Sequence, residues 1–260
     1  MKPIKIDLSA DFKEIKVLPV SDYHFADPHS DHKKILREIE YIKHNDDVFF
    51  IMNGDILDCA ISSSIGDTYE AQYSPMQELQ VCTELFEPIA RKCLCVVKGN
   101  HENRHYKTNG VDLTYLMAKQ LGIADRYSPT TAVVFLRFGH LDGKQRAHGR
   151  KACYTIYVAH GTGGGRKEGG KINRLADLSS IVDTDIYVVG HTHLPAVFKE
   201  RFARPSTANS SITFCDKLYI NTSAKLEYGG YGDYGGFKPA STDSPVIILN
   251  GCKKEMKAVL

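Results

Sequence analysis

No stretch of this sequence stays apolar for long. The longest uncharged apolar runs, such as Val48 to Met52, fall far short of the roughly 20 residues a membrane helix needs. The opening segment, MKPIKIDLSADFKEIK, carries charge every few residues and so lacks the apolar core of a secretion signal. These absences predict a cytoplasmic protein without a membrane partner. There is also no CxxC pair: the seven cysteines (59, 82, 93, 95, 153, 215 and 252) are odd in number and scattered, which predicts reduced core thiols, not disulfides or a zinc knot. Net charge is nearly absent, with 33 Lys plus Arg against 31 Asp plus Glu, so any contact with a polyanion must come from a local patch. We find no internal repeat and no linker long enough to divide the chain, and 260 residues are expected to form a single domain over 1–260. Histidine, by contrast, is abundant, with 11 residues.

Apolar, β-branched runs that stop abruptly in polar clusters predict strands at Lys16 to Ser21, Val48 to Asn53, Leu94 to Lys98, Tyr154 to Ala159 and Ile186 to Gly190. Helical patterns lie between them. Asp31 to His44 repeats Ile35, Leu36, Ile39 and Ile42; Ser74 and Pro75 open a helix expected to reach Arg91; Val111 to Leu121 is a third; and Ile172, Leu175, Leu178 and Val182 mark one face of a fourth. This alternation predicts an α/β fold with parallel sheet portions covered by helices. Beyond Gly190, runs such as Ser211 to Ile220 and Val246 to Leu249 predict antiparallel strands, so the sheets should be mixed.

The strands end as VLPVSDYH, FFIMNGDILD, LCVVKGNHE, TIYVAHG and IYVVGHTH. Each run delivers an oxygen or imidazole ligand within a few residues of its end. In α/β sheets, sites form in the crevice beyond the carboxyl ends of strands, so Asp22, His24, Asp55, Asn100, His160, His191 and His193 are placed to converge. Taken singly, Asp-x-His or His-x-His is an ordinary turn with a satisfied histidine, and GNHE can be an Asn/Gly turn. Five such blocks at strand ends in one chain argue for a metal site. Ligands of Asp, His and Asn without Cys suit Mn, Fe or Zn, and seven candidates exceed what one tetrahedral ion takes, so two ions are expected. Gly54, Gly99, Gly161 and Gly190 flank these ligands, where a missing side chain would let the backbone turn toward an ion.

In order, D-x-H, G-D-x-x-D, G-N-H-E, H and G-H-x-H resemble the calcineurin-like metallophosphoesterase superfamily, over Asp22 to His193. The resemblance implies a four-layer α/β/β/α sandwich with two mixed β-sheets, holding two divalent ions, with manganese the first expectation and iron or zinc the alternatives. By the family's blocks, one ion takes Asp22, His24, Asp55 and His193, and the other takes Asp55, Asn100, His160 and His191, with Asp55 the bridging carboxylate. The implied activity is phosphoester hydrolysis by a hydroxide held between the ions. Two cations about 4 Å apart repel unless an anionic oxygen is shared between them. His101 matches the family histidine that serves the leaving oxygen, and Asp58 would hold its imidazole. The alternative for Asp58 is a helix or turn cap. The GDILD block lacks the Arg-Gly of the Ser/Thr protein phosphatases in this superfamily, and Asp-Tyr-His lacks their trailing Gly, which disfavours that activity. The expected partner is a phosphoester substrate, a phosphodiester or nucleotide first and nucleic acid as an option; a phosphomonoesterase and a non-catalytic metal-binding scaffold are the alternatives.

Two biased stretches remain. GTGGGRKEGGKINR after His160 hides Gly165-x4-Gly170-Lys171, nearly a phosphate-binding P-loop, but Ile172 stands where a Mg²⁺-binding Ser or Thr would be required. The segment reads either as a rim whose Arg166, Lys167, Lys171 and Arg174 attract phosphate or as a solvated loop. Arg104 is a further candidate for substrate phosphate. YGGYGDYGGF spaces Tyr228, Tyr231, Tyr234 and Phe237 three apart among glycines, which reads as a surface flap or as a stacking surface for nucleobases.

Overall fold

A computed structural model describes residues 1–61, 64, 68–142 and 150–260, without the side chain of Tyr231. In chain order the strands are β1 (Lys2–Asp7), β2 (Glu14–Val20), β3 (Val48–Asn53), β4 (Cys93–Val97), β5 (Tyr127–Ser128), β6 (Thr131–Phe138), β7 (Ala152–Ala159), β8 (Ile186–Val189), β9 (Ala196–Ser206), β10 (Ser211–Asn221), β11 (Val246–Asn250) and β12 (Met256–Val259). The helices are α1 (His32–His44), α2 (Pro75–Phe86), α3 (Asn100–Asn109), α4 (Leu113–Gln120), α5 (Glu168–Asp177) and the short α6 (Gly230–Tyr234).

The strands form two six-stranded sheets, ordered β1-β6-β7-β8-β10-β9 and β12-β11-β2-β3-β4-β5. Both are mixed: β2, β3, β4 and β5 run parallel while β11 joins β2 antiparallel, and β7, β8 and β10 run parallel while β6 joins β7 antiparallel. Strand β3 shows how the layers arise. All six of its residues are buried, because alternate side chains face opposite layers: Phe49 and Ile51 pack against the other sheet with Val134, Ile156 and Val188, whereas Val48, Phe50 and Met52 pack under helices with Ile35, Ile39, Leu79 and Met117. On the far side, Tyr157, Tyr187 and Tyr219 of the first sheet pack on Leu175 of α5. The result is the α/β/β/α sandwich with two mixed sheets.

Local chemistry sets the helix limits. Asp31 caps α1 by accepting from the Lys34 N–H, and Ser74 with Gln77 forms a capping box ahead of Pro75. The helix expected to reach Arg91 leaves α-geometry after Phe86 and continues as a 3₁₀ segment, Glu87–Lys92. Pro88 explains this, since it lacks the N–H of an α-helical bond and its ring collides with the preceding turn. Four of the seven cysteines, 59, 82, 93 and 95, are core thiols as expected, while 153, 215 and 252 are only half-buried; all seven are unpaired. Among the described residues no helix is long and apolar enough to cross a membrane.

Candidate metal centre

The carboxyl ends of β2, β3 and β4 in one sheet and of β7 and β8 in the other meet at the same edge of the sandwich. Asp22, His24 and His193 bring one ligand atom each within 4.8 Å of one another, and so do Asp55, His160 and His191. Asn100, the first residue of α3, joins the second group through its Oδ1, 3.0 Å from His160 Nε2. Asp55 touches both groups: its Oδ2 lies 3.0 Å from His160 Nε2, 4.0 Å from His24 Nε2 and 3.9 Å from His101 Nε2. All seven expected ligands are therefore brought together from five strand ends.

The backbone is bent to achieve this. Among the described residues seven non-glycine positions have positive φ, and five of them are Asp22, His24, Asp55, His191 and His193. Such left-handed conformations are uncommon for residues with a Cβ and concentrate at functional sites. The neighbouring glycines act in two ways. Gly54 does take φ +84°, as a sharp turn requires, but Gly99 has φ −86° and is needed for space, since a Cβ there would stand 2.1 Å from Asp55 Oδ1.

Hydrogen bonds orient the imidazoles. His160 Nδ1 donates to the Asn53 carbonyl at 2.7 Å, which turns Nε2 toward Asp55 and Asn100. His24 Nδ1 lies 3.4 Å from Asp58 Oδ1, and its Nε2 faces His193 Nε2 at 3.4 Å, while His193 Nε2 is also 3.2 Å from Asp22 Oδ1. Two ring nitrogens pointed at each other beside buried carboxylates repel through their lone pairs unless a proton or a cation lies between them. The donor set of imidazole nitrogens and carboxylate and amide oxygens, with no thiolate, fits divalent ions such as manganese, iron or zinc.

The charges respond accordingly. Burial opposes ionisation of Asp22, but the contact with His193 and the charge of His160 lower its pKa to about 2. Burial likewise opposes the charged form of His24 and His160, yet Asp58 and Asp55 raise the first to about 9, and Asp55 raises the second to about 10. Asp55 itself is held well below the usual carboxylate range, its burial outweighed by His160, His101 and His24.

Asp58 is part of this cluster and not a cap. Its Oδ1 accepts from His101 Nδ1 at 2.8 Å, as expected, and it also holds His24, a contact that sequence reasoning missed. Most other supporting residues were invisible in the motifs, although Glu102 closes the G-N-H-E block. Asp22 accepts from Ser21 Oγ, Thr222 Oγ1 and the His191 N–H; Asn221 donates to Thr192 Oγ1 and Leu194 O. Glu102 accepts from the N–H groups of Gly99, Asp55, Ile56 and Leu57, and Glu78 from those of Ala26, Asp58 and Cys59.

The expected substrate cations are placed differently. Arg104 is half-buried in α3, one turn beyond His101, and its guanidinium makes no ion pair among the described residues. Lys171 donates to the carbonyl of Thr192, between His191 and His193, at 2.8 Å. Arg174 folds back on Thr162 O. Arg166 donates to Gly235 O at 2.8 Å and lies over the Phe237 ring at 5.3 Å, so the two glycine-rich segments are joined, with Lys238 and Glu168 adding an ion pair at 2.8 Å. At its other end the Tyr/Gly segment packs Gly229 and Gly230 against His29, and Glu227 N–H donates to His29 O. Tyr228 and Tyr234 are exposed.

The model of the calcineurin-like phosphoesterase family matches residues 23–195. The chain belongs to that family. Among solved structures, a conserved protein of Streptococcus pneumoniae described as a predicted phosphoesterase is 15% identical, with 95% of this chain and 90% of that one covered at a TM-score of 0.38. Zinc-complexed Vps29 of Entamoeba histolytica is 12% identical over 94% and 98% of the two chains, at a TM-score of 0.33. Among curated proteins none is significantly similar in sequence.

Proposed function

We propose that this phosphoesterase is a two-metal hydrolase of phosphodiester or nucleotide substrates. The observation that carries the reading is the position of Asp55, in contact with both ligand groups and with His101. In this reading Asp22, His24, Asp55 and His193 hold one divalent cation and Asp55, Asn100, His160 and His191 hold the other, manganese being the first choice. Bound there, the cations supply Lewis acidity toward the phosphoryl oxygens and make water nucleophilic near neutral pH. His101 serves the leaving oxygen. Asp58 accepts from Nδ1, which commits Nε2 to the reaction side and leaves an anion beside an imidazole that must carry and release a proton. Arg104 and Lys171 are the candidate phosphate contacts.

Two features favour a substrate larger than a simple phosphate ester. The Tyr/Gly segment spans from the turn after His24 to the loop after His160, and it presents Tyr228 and Tyr234 to solvent, rings on which a base can stack. The phosphomonoesterase reading uses the same centre and differs only in what the rim admits. The test is hydrolysis of a bis-aryl and a mono-aryl phosphate after chelation and refilling with Mn²⁺, with metal content measured on the same samples. Preferred cleavage of the diester supports the reading; preferred cleavage of the monoester replaces it; a protein that takes up metal and hydrolyses neither is a binding scaffold.

A further inference from the structure

Glu78 lies in the first turn of α2, is fully buried, and has no Lys, Arg or His within ion-pair distance among the described residues. Its carboxylate instead gathers three backbone donors: Oε1 accepts from Ala26 N–H at 2.8 Å and Asp58 N–H at 2.7 Å, and Oε2 accepts from Cys59 N–H at 3.0 Å. Ala26 lies two residues beyond His24, and Asp58 three beyond Asp55. One side chain thus ties the loop that carries a ligand histidine to the turn that carries the Asp58 carboxylate. That turn needs the tie, because Cys59 sits at φ +48°, a conformation costly for a residue with a Cβ. A buried carboxylate without a counter-cation is itself expensive, and a glutamine would offer one acceptor oxygen in place of two.

We propose that Glu78 is a positioning residue for proton delivery: it fixes the Asp58 backbone so that the Asp58 carboxylate grips His101 and His24 together. The proposal rests on the reading that His101 Nε2–H passes its proton to the oxygen of the breaking P–O bond, so that an alcohol or phenol leaves and not its anion. Asp58 reaches both imidazoles with one oxygen, at 2.8 Å and 3.4 Å, so a small displacement of its backbone disturbs the proton donor more than a general loosening of the fold would.

The experiment uses Glu78→Gln in the full chain loaded with Mn²⁺, on aryl phosphodiesters that differ only in the leaving group, a 4-nitrophenol against an unsubstituted phenol. A good leaving group needs no proton. Turnover should fall about 100-fold for phenol and less than about 10-fold for nitrophenol, within the range of general-acid effects. In a His101→Ala background the same substitution should add no leaving-group dependence. A second readout needs no turnover: the His101 Nδ1–H proton resonance, assigned by its loss in His101→Ala, should broaden or move upfield in the Zn²⁺-loaded variant. If Glu78→Gln does not fold, Glu78→Asp keeps the charge, shortens the reach and carries the same expectation. Equal losses for both leaving groups, or additive effects with His101→Ala, would show that Glu78 only stabilises the fold and would overturn the proposal. A wild-type protein that turns over neither ester removes the hydrolytic reading beneath it.

Discussion

The floor and the rim of the metal centre are built on opposite principles. On the floor, Asp22, Asp55, Glu78 and Glu102 are buried carboxylates, each held by donors from other segments, and five of the seven ligands sit in left-handed backbone conformations. At the rim, the loop after His160 and the Tyr/Gly segment are largely exposed and meet through Arg166, Phe237, Lys238 and Glu168. A rigid floor fixes reacting groups, while an open rim can be altered without disturbing them. Chemistry should therefore reside in the first region and substrate choice in the second, and variants of the two should fail in different ways.

The floor should fail hardest at Asp55. Asp55→Asn removes the anion that both ligand groups share, so hydrolysis should be abolished and elemental analysis should find less metal per chain. Near-normal activity with full metal content would break the assignment. His101→Ala should come next, lowering turnover by about 10²–10⁴-fold, the usual range for a lost general acid, with metals still bound. Wild-type turnover in that variant would remove His101 from the chemistry.

How much of this contrast is legible in the sequence follows from what each residue reports. The ligands are legible because apolar runs such as Val48 to Asn53 stop at them, and residue type states their chemistry. Helix α3 is not: Asn100–Asn109 has no apolar stripe, and its one buried side chain is Glu102. Strand β1 escapes for a similar reason, since Ile4 and Ile6 alternate with exposed Lys and Asp and resemble a solvated terminus. Glu78 reads as an ordinary first-turn acid, favourable to the helix dipole. Its real partners are N–H groups from two distant loops, which no spacing encodes. For the same reason Arg166 and Lys171 look like free cations in the sequence, yet each already donates to a carbonyl.

Proton linkage sharpens the description of the floor. In chelated protein the carboxylates raise His24 to about 9 and His160 to about 10 from an ordinary 6.5. A raised histidine stabilises the fold fully below pH 6.5, and this contribution is lost as pH climbs through those higher values. Asp22 acts oppositely: lowered to about 2, it stabilises above its ordinary 3.8 and is lost as pH falls through 2. The chelated protein should therefore melt at lower temperature as pH rises from 6.5 toward 10. A cation needs neutral imidazoles, so Mn²⁺ binding at pH 7.5 should release about one to two protons. Calorimetry in buffers of different ionisation enthalpy measures this number. Zero release would mean that His24 and His160 are already neutral.

The rim should give the smallest and most selective effect. Replacing Tyr228, Tyr234 and Phe237 by Ala should leave the floor intact, because the hydrogen bonds that hold Asp22, Asp55, Asp58, His101 and His160 come from other residues. Base stacking on an aromatic ring contributes roughly 1–3 kcal/mol, so KM for a nucleotide phosphodiester should rise about 10-fold or more. KM and kcat for a small aryl phosphodiester should stay within about twofold, as expected when only the stacking surface is lost. Arg166→Ala should reproduce part of that rise, since it unfastens the segment from the loop after His160 without removing Tyr228 or Tyr234. Parallel losses for nucleotide and aryl substrates would mean that the rim supports the floor, and the division between the two regions would no longer hold.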